Sequence, residues 1–246
     1  MKQQKMNRYL IPSFALGAFV FGVGQAQAAQ VTIDDFNTFD QSVEVLGSPD
    51  TMAMNTMMNG DNNIIGGERK IKLTIDENEF DDPELGAIVS IVDGFATISN
   101  DAGIESTTVF TWDGTDTSPL NADLTGGGMN QFFRLDIDSV DLTAKLALDV
   151  IDSEGDMASL TKTGLSEGSA IFNFNAFNNF AATDFSRAES VSLTVGGPQE
   201  VDFAADSLVA TVPEPLTILG SGLALGFGAL FKKESSRKRQ KAQSKN

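Results

Sequence analysis

Apolar and polar residues alternate with a period of two through most of the chain between residues 30 and 211. Ile71, Leu73 and Ile75 alternate with Lys70, Lys72 and Thr74, and Leu135 and Ile137 with Arg134, Asp136 and Asp138. Ala144, Leu146, Leu148 and Val150 alternate with Lys145 and Asp149, Phe172 and Phe174 with Asn173 and Asn175, and Val191, Leu193 and Val195 with Ser192 and Thr194. A strand with one face on a core and the other in water reads this way, and antiparallel sheets are built from such strands. Turn chemistry separates the runs: Asp93-Gly94, Asn100-Asp101-Ala102-Gly103, Asp113-Gly114, Gly126-Gly127-Gly128 and Gly196-Gly197-Pro198 supply positive φ or a fixed bend. No long 3.6-residue stripe and no repeat of fixed period interrupts the pattern. About ten strands of this kind predict an all-β domain over residues 30–211, a single antiparallel β-sandwich of jelly-roll type.

The two ends follow a different pattern. Lys2, Lys5 and Arg8 precede an apolar run over residues 10–23, and Ala26-Gln27-Ala28 offers the small-x-small site of a signal peptidase. Residues 1–29 therefore read as a signal peptide for Sec-type export. At the other end, Pro213-Glu214-Pro215 is followed by an apolar stretch of 16 residues, 216–231, interrupted only by Thr217 and Ser221. As a helix they span about 24 Å, short of a hydrocarbon core of about 30 Å but within the reach of snorkelling lysines and a thinned bilayer. Lys232, Lys233, Arg237, Lys238 and Arg239 come next, within a basic tail over residues 232–246. Each apolar segment carries its basic cluster on the side away from the middle of the chain. Positive charge resists translocation, so both clusters are expected to stay inside while the middle is exported.

Charge sharpens that picture. The whole chain carries 17 basic and 34 acidic residues, a net charge of -17, but residues 30–211 hold only 7 of the basic and 32 of the acidic ones. The body is thus near -25, which excludes nucleic acid, anionic lipid and acidic polymers as electrostatic partners. There is no Cys and no His. Disulfide frameworks, zinc sites of the usual ligands, thiol nucleophiles and Ser-His-Asp triads are all ruled out.

Val212-Pro213-Glu214-Pro215, the Gly-rich apolar helix and the basic cluster together resemble the PEP-CTERM sorting signal of Gram-negative bacteria. The resemblance covers residues 212–246 and concerns how the protein is handled. It implies a precursor held in the inner membrane, processing near the motif by an exosortase, and a product at the cell surface or in a polysaccharide-rich extracellular matrix. The body is similar to the exported jelly-roll proteins that precede such tails. The matching stretches are Ile33-Asp34-Asp35-Phe36, Ile65-Gly66-Gly67-Glu68-Arg69, Thr111-Trp112-Asp113-Gly114, Asp123-Leu124-Thr125-Gly126-Gly127-Gly128, Phe172-Asn173-Phe174 and Asp202-Phe203. This second resemblance implies a sandwich similar to carbohydrate-binding modules, with no defined activity attached.

Candidate chemistry is sparse. The run Asp152-Ser153-Glu154-Gly155-Asp156 faintly resembles an Asp-rich calcium loop, but Met157 stands where an EF-hand requires Gly, and a hairpin turn is the better reading. Asp34 or Asp35 can pair with Asp202 or Asp206 if the first and last strands meet, giving an oxygen-rich site for a structural Ca2+; solvated carboxylates at strand ends are the plainer alternative. No other cofactor is indicated. Gly66-Gly67-Glu68-Arg69 lacks the Gly-Lys-Ser/Thr ending of a phosphate loop. Glycan binding needs exposed aromatic platforms. Trp112 is the only Trp and the body has no Tyr, so Trp112 is either a sheet-packing residue or a glycan contact. A glycosidase needs two carboxyls at a set separation, a requirement that 32 acidic residues satisfy too easily to be informative. The sequence therefore points to a non-catalytic, exported surface or matrix protein associated with exopolysaccharide. A carbohydrate-binding module or glycan-active hydrolase using Trp112 and a carboxylate cluster is the alternative.

Overall fold

The computed structural model describes residues 30–38, 40–58, 63–116 and 118–212. The signal peptide expected over residues 1–29, Pro213, Glu214, Pro215, the apolar segment 216–231 and the basic cluster from Lys232 onward lie outside the described residues. Fifteen strands are present among those described: β1 Val31–Asp34, β2 Gln41–Leu46, β3 Met52–Met58, β4 Glu68–Asn78, β5 Gly86–Val92, β6 Phe95–Asn100, β7 Ile104–Trp112, β8 Gly114–Thr115, β9 Ser118–Pro119, β10 Phe132–Val140, β11 Lys145–Asp152, β12 Met157–Thr163, β13 Gly168–Asn173, β14 Ala188–Gly196 and β15 Phe203–Thr211. This exceeds the count that alternation suggests. β8 and β9 are too short to show a period, and β3 carries Met on both faces.

Two antiparallel sheets pack face to face as a sandwich. The first runs β13-β10-β15-β6-β5-β2, with β1 added on β15; the second runs β12-β11-β14-β7-β4-β3. The alternation holds residue by residue: β7 and β11 bury every second side chain, and Ile71, Leu73, Ile75, Leu146, Leu148, Val150, Val191 and Leu193 all point into the core. Asp93 and Gly94 sit at φ 51° and 88° and close the β5–β6 hairpin, the primed geometry that matches strand twist. Phe174 departs from its expected place. The strand ends at Asn173, a 3-10 turn covers Phe174–Ala176, and Phe174 joins Phe133, Phe177 and Phe185 in a ring cluster with centroids 4.8 to 6.3 Å apart.

One polar network crosses between the sheets. Arg69 on β4 is fully buried and places Nη1 2.8 Å from Asp34 Oδ2 on β1. Trp112 Nε1 on β7 donates to the same oxygen at 2.8 Å, and Arg69 Nε donates to Gln41 Oε1 on β2 at 2.9 Å. The N–H of Phe36, held at φ 52°, donates to Asp34 Oδ1 at 2.9 Å, and the Phe36 ring lies 5.8 Å under the Arg69 guanidinium. Burial pushes the Asp34 carboxyl above its ordinary range; the Arg69 charge and the hydrogen bonds from Arg69, Trp112 and Phe36 pull the other way.

One flank is closed by side chains and the other by a backbone bridge. β2 and β3 are the edge strands on one side, and there Gln41 Nε2 donates to the Asn55 carbonyl at 3.1 Å while Asn55 Nδ2 donates to the Ser42 carbonyl at 3.0 Å. On the other side, Ser159 of β12 bridges to Asn178 in the segment after β13. The Asp152 turn is a hairpin turn, as its sequence indicates. Its carboxylate accepts the N–H groups of Glu154, Asp156 and Asp184, and Asp184 in turn accepts from Ser186 and Arg187.

Two outcomes are expected. Arg69→Met leaves Asp34 as a buried, uncompensated charge and should cost about 3–5 kcal/mol, whereas Asp34→Asn with Arg69→Met buries no charge and should recover part of the loss; urea unfolding of both variants measures the difference. The hydrogen bonds from Ser186 and Arg187 hold the Asp184 carboxyl from its ordinary 3.8 down to about 2. A depressed carboxylate stabilises the fold fully above its unfolded value and stops doing so as pH falls through the folded one. The Asp184 contribution should therefore be intact above pH 3.8 and lost towards about 2, which amide exchange at Ser186 would report.

Candidate functional site

Three segments converge on one depression at the rim of the first sheet. The connection after β1 brings Asp35 and Asn37, the β5–β6 hairpin brings Asp93, Gly94 and Phe95, and β15 brings Asp206 and Ser207. Each is placed for a local reason. Asn37 folds back on Asp35, its N–H donating to Asp35 Oδ1 at 3.0 Å and its Nδ2 to the Asp35 carbonyl at 3.1 Å. Gly94 beside it holds φ 88°, a left-handed conformation that favours glycine. In β15 the register slips: Asp136 of β10 faces Ser207 and Ile137 faces Ala205, leaving Asp206 as the extra residue of a β-bulge. Bulges re-aim a side chain at sheet rims, and this one presents Asp206 to the depression.

The depression has a volume of about 340 Å³ and is open to solvent. Phe95 lines it, lies on the outer face of β6 and is 38% exposed. It offers an apolar ring face beside three carboxylates, one amide and one hydroxyl. A polar strip continues from it across the outer face of the sheet. Ser207 Oγ donates to Asp136 Oδ2 at 3.2 Å, Ser169 Oγ to Asp136 Oδ1 at 2.6 Å, and Arg134 Nε to Asp136 Oδ2 at 3.0 Å. The strip thus spans β15, β10 and β13 in register.

The residues singled out in the sequence divide into two groups. Asp35 and Asp206 both line this depression, because β1 pairs with β15. Asp34 and Asp202 do not join them: Asp34 is fully buried against Arg69 and Trp112, and Asp202 precedes β15 with its N–H on Asp141 Oδ1 at 2.8 Å. Among the described residues no three carboxylates lie close enough together to hold a metal ion. Trp112 is fully buried, stacked at 6.2 Å on Phe110 and hydrogen-bonded to Asp34, so a sugar cannot reach it without opening the sandwich. The exposed aromatic of this site is Phe95, which the sequence presents only as the residue after a turn.

No family model matches the chain, and none of the curated proteins matches it. Solved structures similar to it include PfGH50B, at 12% identity over 58% of this chain and 23% of that chain, with a TM-score of 0.34. A family 11 carbohydrate-binding module from Clostridium thermocellum, in complex with a beta-1,3-1,4-mixed-linked tetrasaccharide, is 10% identical over 74% of this chain and 95% of that one, at 0.37. A family 29 carbohydrate-binding module is 11% identical over 69% of this chain and 96% of that one, at 0.32. The chain spans less than a quarter of the length of PfGH50B and nearly the whole of either module. Likenesses this distant carry no argument about a ligand.

Proposed function

We propose that the protein is an exported, non-catalytic surface or matrix protein whose sandwich binds a neutral polysaccharide at the Phe95 depression. The observation that carries the reading is the placement of one exposed ring beside Asp35, Asp93, Asp206, Asn37 and Ser207. A sugar ring has an apolar face of C–H groups and a rim of hydroxyls. The first packs on an aromatic face, and the second donates to carboxylates in charge-assisted hydrogen bonds. Three carboxylates on a body near -25 repel uronic acids and sulfated chains, which leaves neutral glycans. The polar strip of Ser207, Asp136 and Ser169 extends the contact along a chain of sugars.

Export, inner-membrane retention of the precursor and processing by an exosortase belong to the same proposal. Their support is the charge placement at both ends and the Pro213-Glu214-Pro215 tail. They place the binding surface where extracellular polysaccharide is found.

Two tests separate the parts. Phe95→Ala should weaken binding to neutral glycans on an array by about tenfold, about 1.4 kcal/mol, with the fold unchanged by circular dichroism; equal binding by parent and variant rules the depression out. Replacing Pro213-Glu214-Pro215 by alanines should leave an unprocessed precursor in the inner membrane, followed by size and fractionation. Release at the parent size would exclude the sorting role.

A further inference from the structure

Glu68 and Lys70 lie on the outer face of β4, two residues apart, while Asp113 directly follows β7. The strands pair with Lys70 opposite Thr111, and the same antiparallel register carried two residues further sets Asp113 opposite Glu68. Two carboxylates facing each other across a strand pair repel. Lys70 stands between them, with Nζ 3.0 Å from Asp113 Oδ2 and 3.2 Å from Glu68 Oε1. The Glu68 side chain is 2% exposed. Glu68 Oε2 and Asp113 Oδ1 are both buried and have no hydrogen-bond partner among the described residues, although one ammonium serves both groups. An ordinary surface ion pair leaves such oxygens to water. Here those two oxygen atoms are enclosed, while the Lys70 and Asp113 side chains that form the pair are 27% and 34% exposed.

The backbone holds this arrangement in place. The Asp113 carbonyl accepts the Leu120 N–H at 3.1 Å. Gly114 sits at φ 80° and approaches Gly66 so closely that a Cβ on Gly66 would lie 2.9 Å from the Gly114 Cα. Asp113 therefore has little freedom to swing away from Lys70.

We infer that Lys70 and Asp113 are the two halves of an autocatalytic isopeptide bond, with Glu68 as the proton carrier. The ammonium of Lys70 passes one proton to the Asp113 carboxylate through Glu68, giving a neutral amine beside a neutral acid. The nitrogen attacks Asp113 Cγ and a C–N bond forms. Glu68 takes the second proton from the nitrogen and delivers it to the departing oxygen, the C–O bond breaks, and one water leaves. The products are a side-chain amide and a water molecule; one positive and one negative charge disappear, and Glu68 ends as it began. No oxidant, reductant or cofactor enters. The Asp113 hydrogen bond, helped by Glu68, raises the Lys70 pKa above its ordinary value, so moving the ammonium proton to a carboxylate is the uphill part of the reaction. Condensation of an amine with an acid is unfavourable between separate molecules in water. Holding the amine against the carboxyl makes the step intramolecular, and well-oriented groups of this kind reach effective molarities of about 10⁵–10⁸ M.

Mass spectrometry of the digested full-length chain tests this. The expected result is a joined pair of peptides, one containing Lys70 and one containing Asp113, lighter by one water than their sum. Lys70→Arg and Asp113→Ala should each give separate peptides. Asp113→Asn should still join, now with loss of ammonia. Glu68→Gln keeps the length and the packing and should leave the peptides separate in a chain that folds normally by circular dichroism. Separate peptides from the folded parent overturn the bond, and joined peptides from Glu68→Gln at the parental yield overturn the role of Glu68.

Discussion

A guanidinium enclosed between two β-sheets is costly unless every donor is answered, and the architecture of this protein is arranged around answering one. Arg69 comes from the second sheet. Its partners Asp34 and Gln41 and the Thr38 carbonyl come from β1, β2 and the turn between them, all on the side of the first. Apolar packing tolerates sliding, because a leucine a few tenths of an ångström out of place loses little. A charged fork tied at several points does not. The pair therefore fixes how the sheets sit over one another, and Trp112, from the second sheet, adds a donor to Asp34 Oδ2, which Arg69 also holds.

That constraint reaches the rim. Asp34 is the residue before Asp35, and the turn that satisfies its carboxylate through the Phe36 N–H is the turn that delivers Asp35 and Asn37 to the depression. The interior network and the surface site thus share one piece of backbone. Phe36 at φ 52° is the joint between them, a conformation unusual for an aromatic residue and held by contacts on both sides.

The strands were readable from the sequence because alternation is local: Ile71, Leu73 and Ile75 show their face without knowledge of what they pack against. The first and last strands could likewise be brought together by the fold type. What could not be read depends on contacts between residues far apart in the chain. Asp34 and Arg69 are separated by 35 residues, and the sequence offers Asp34 only as a candidate Ca2+ ligand and gives Arg69 no role. Their burial follows only from the sheet register. Phe95 and Asp93 look like hairpin punctuation until β15 slips by one residue and turns Asp206 toward them. Phe174 continues the alternating rhythm on paper, yet the chain leaves the sheet there, and its ring packs against Phe133 and Phe185.

The amide clasp between Gln41 and Asn55 has a consequence for the protein at high concentration. An uncovered sheet margin invites a neighbouring molecule to extend the ladder, and a densely packed population with such margins grows into fibrils. Here two main-chain carbonyls along that margin are already taken by side chains of the same molecule. Copies can be concentrated side by side without zipping together along that flank.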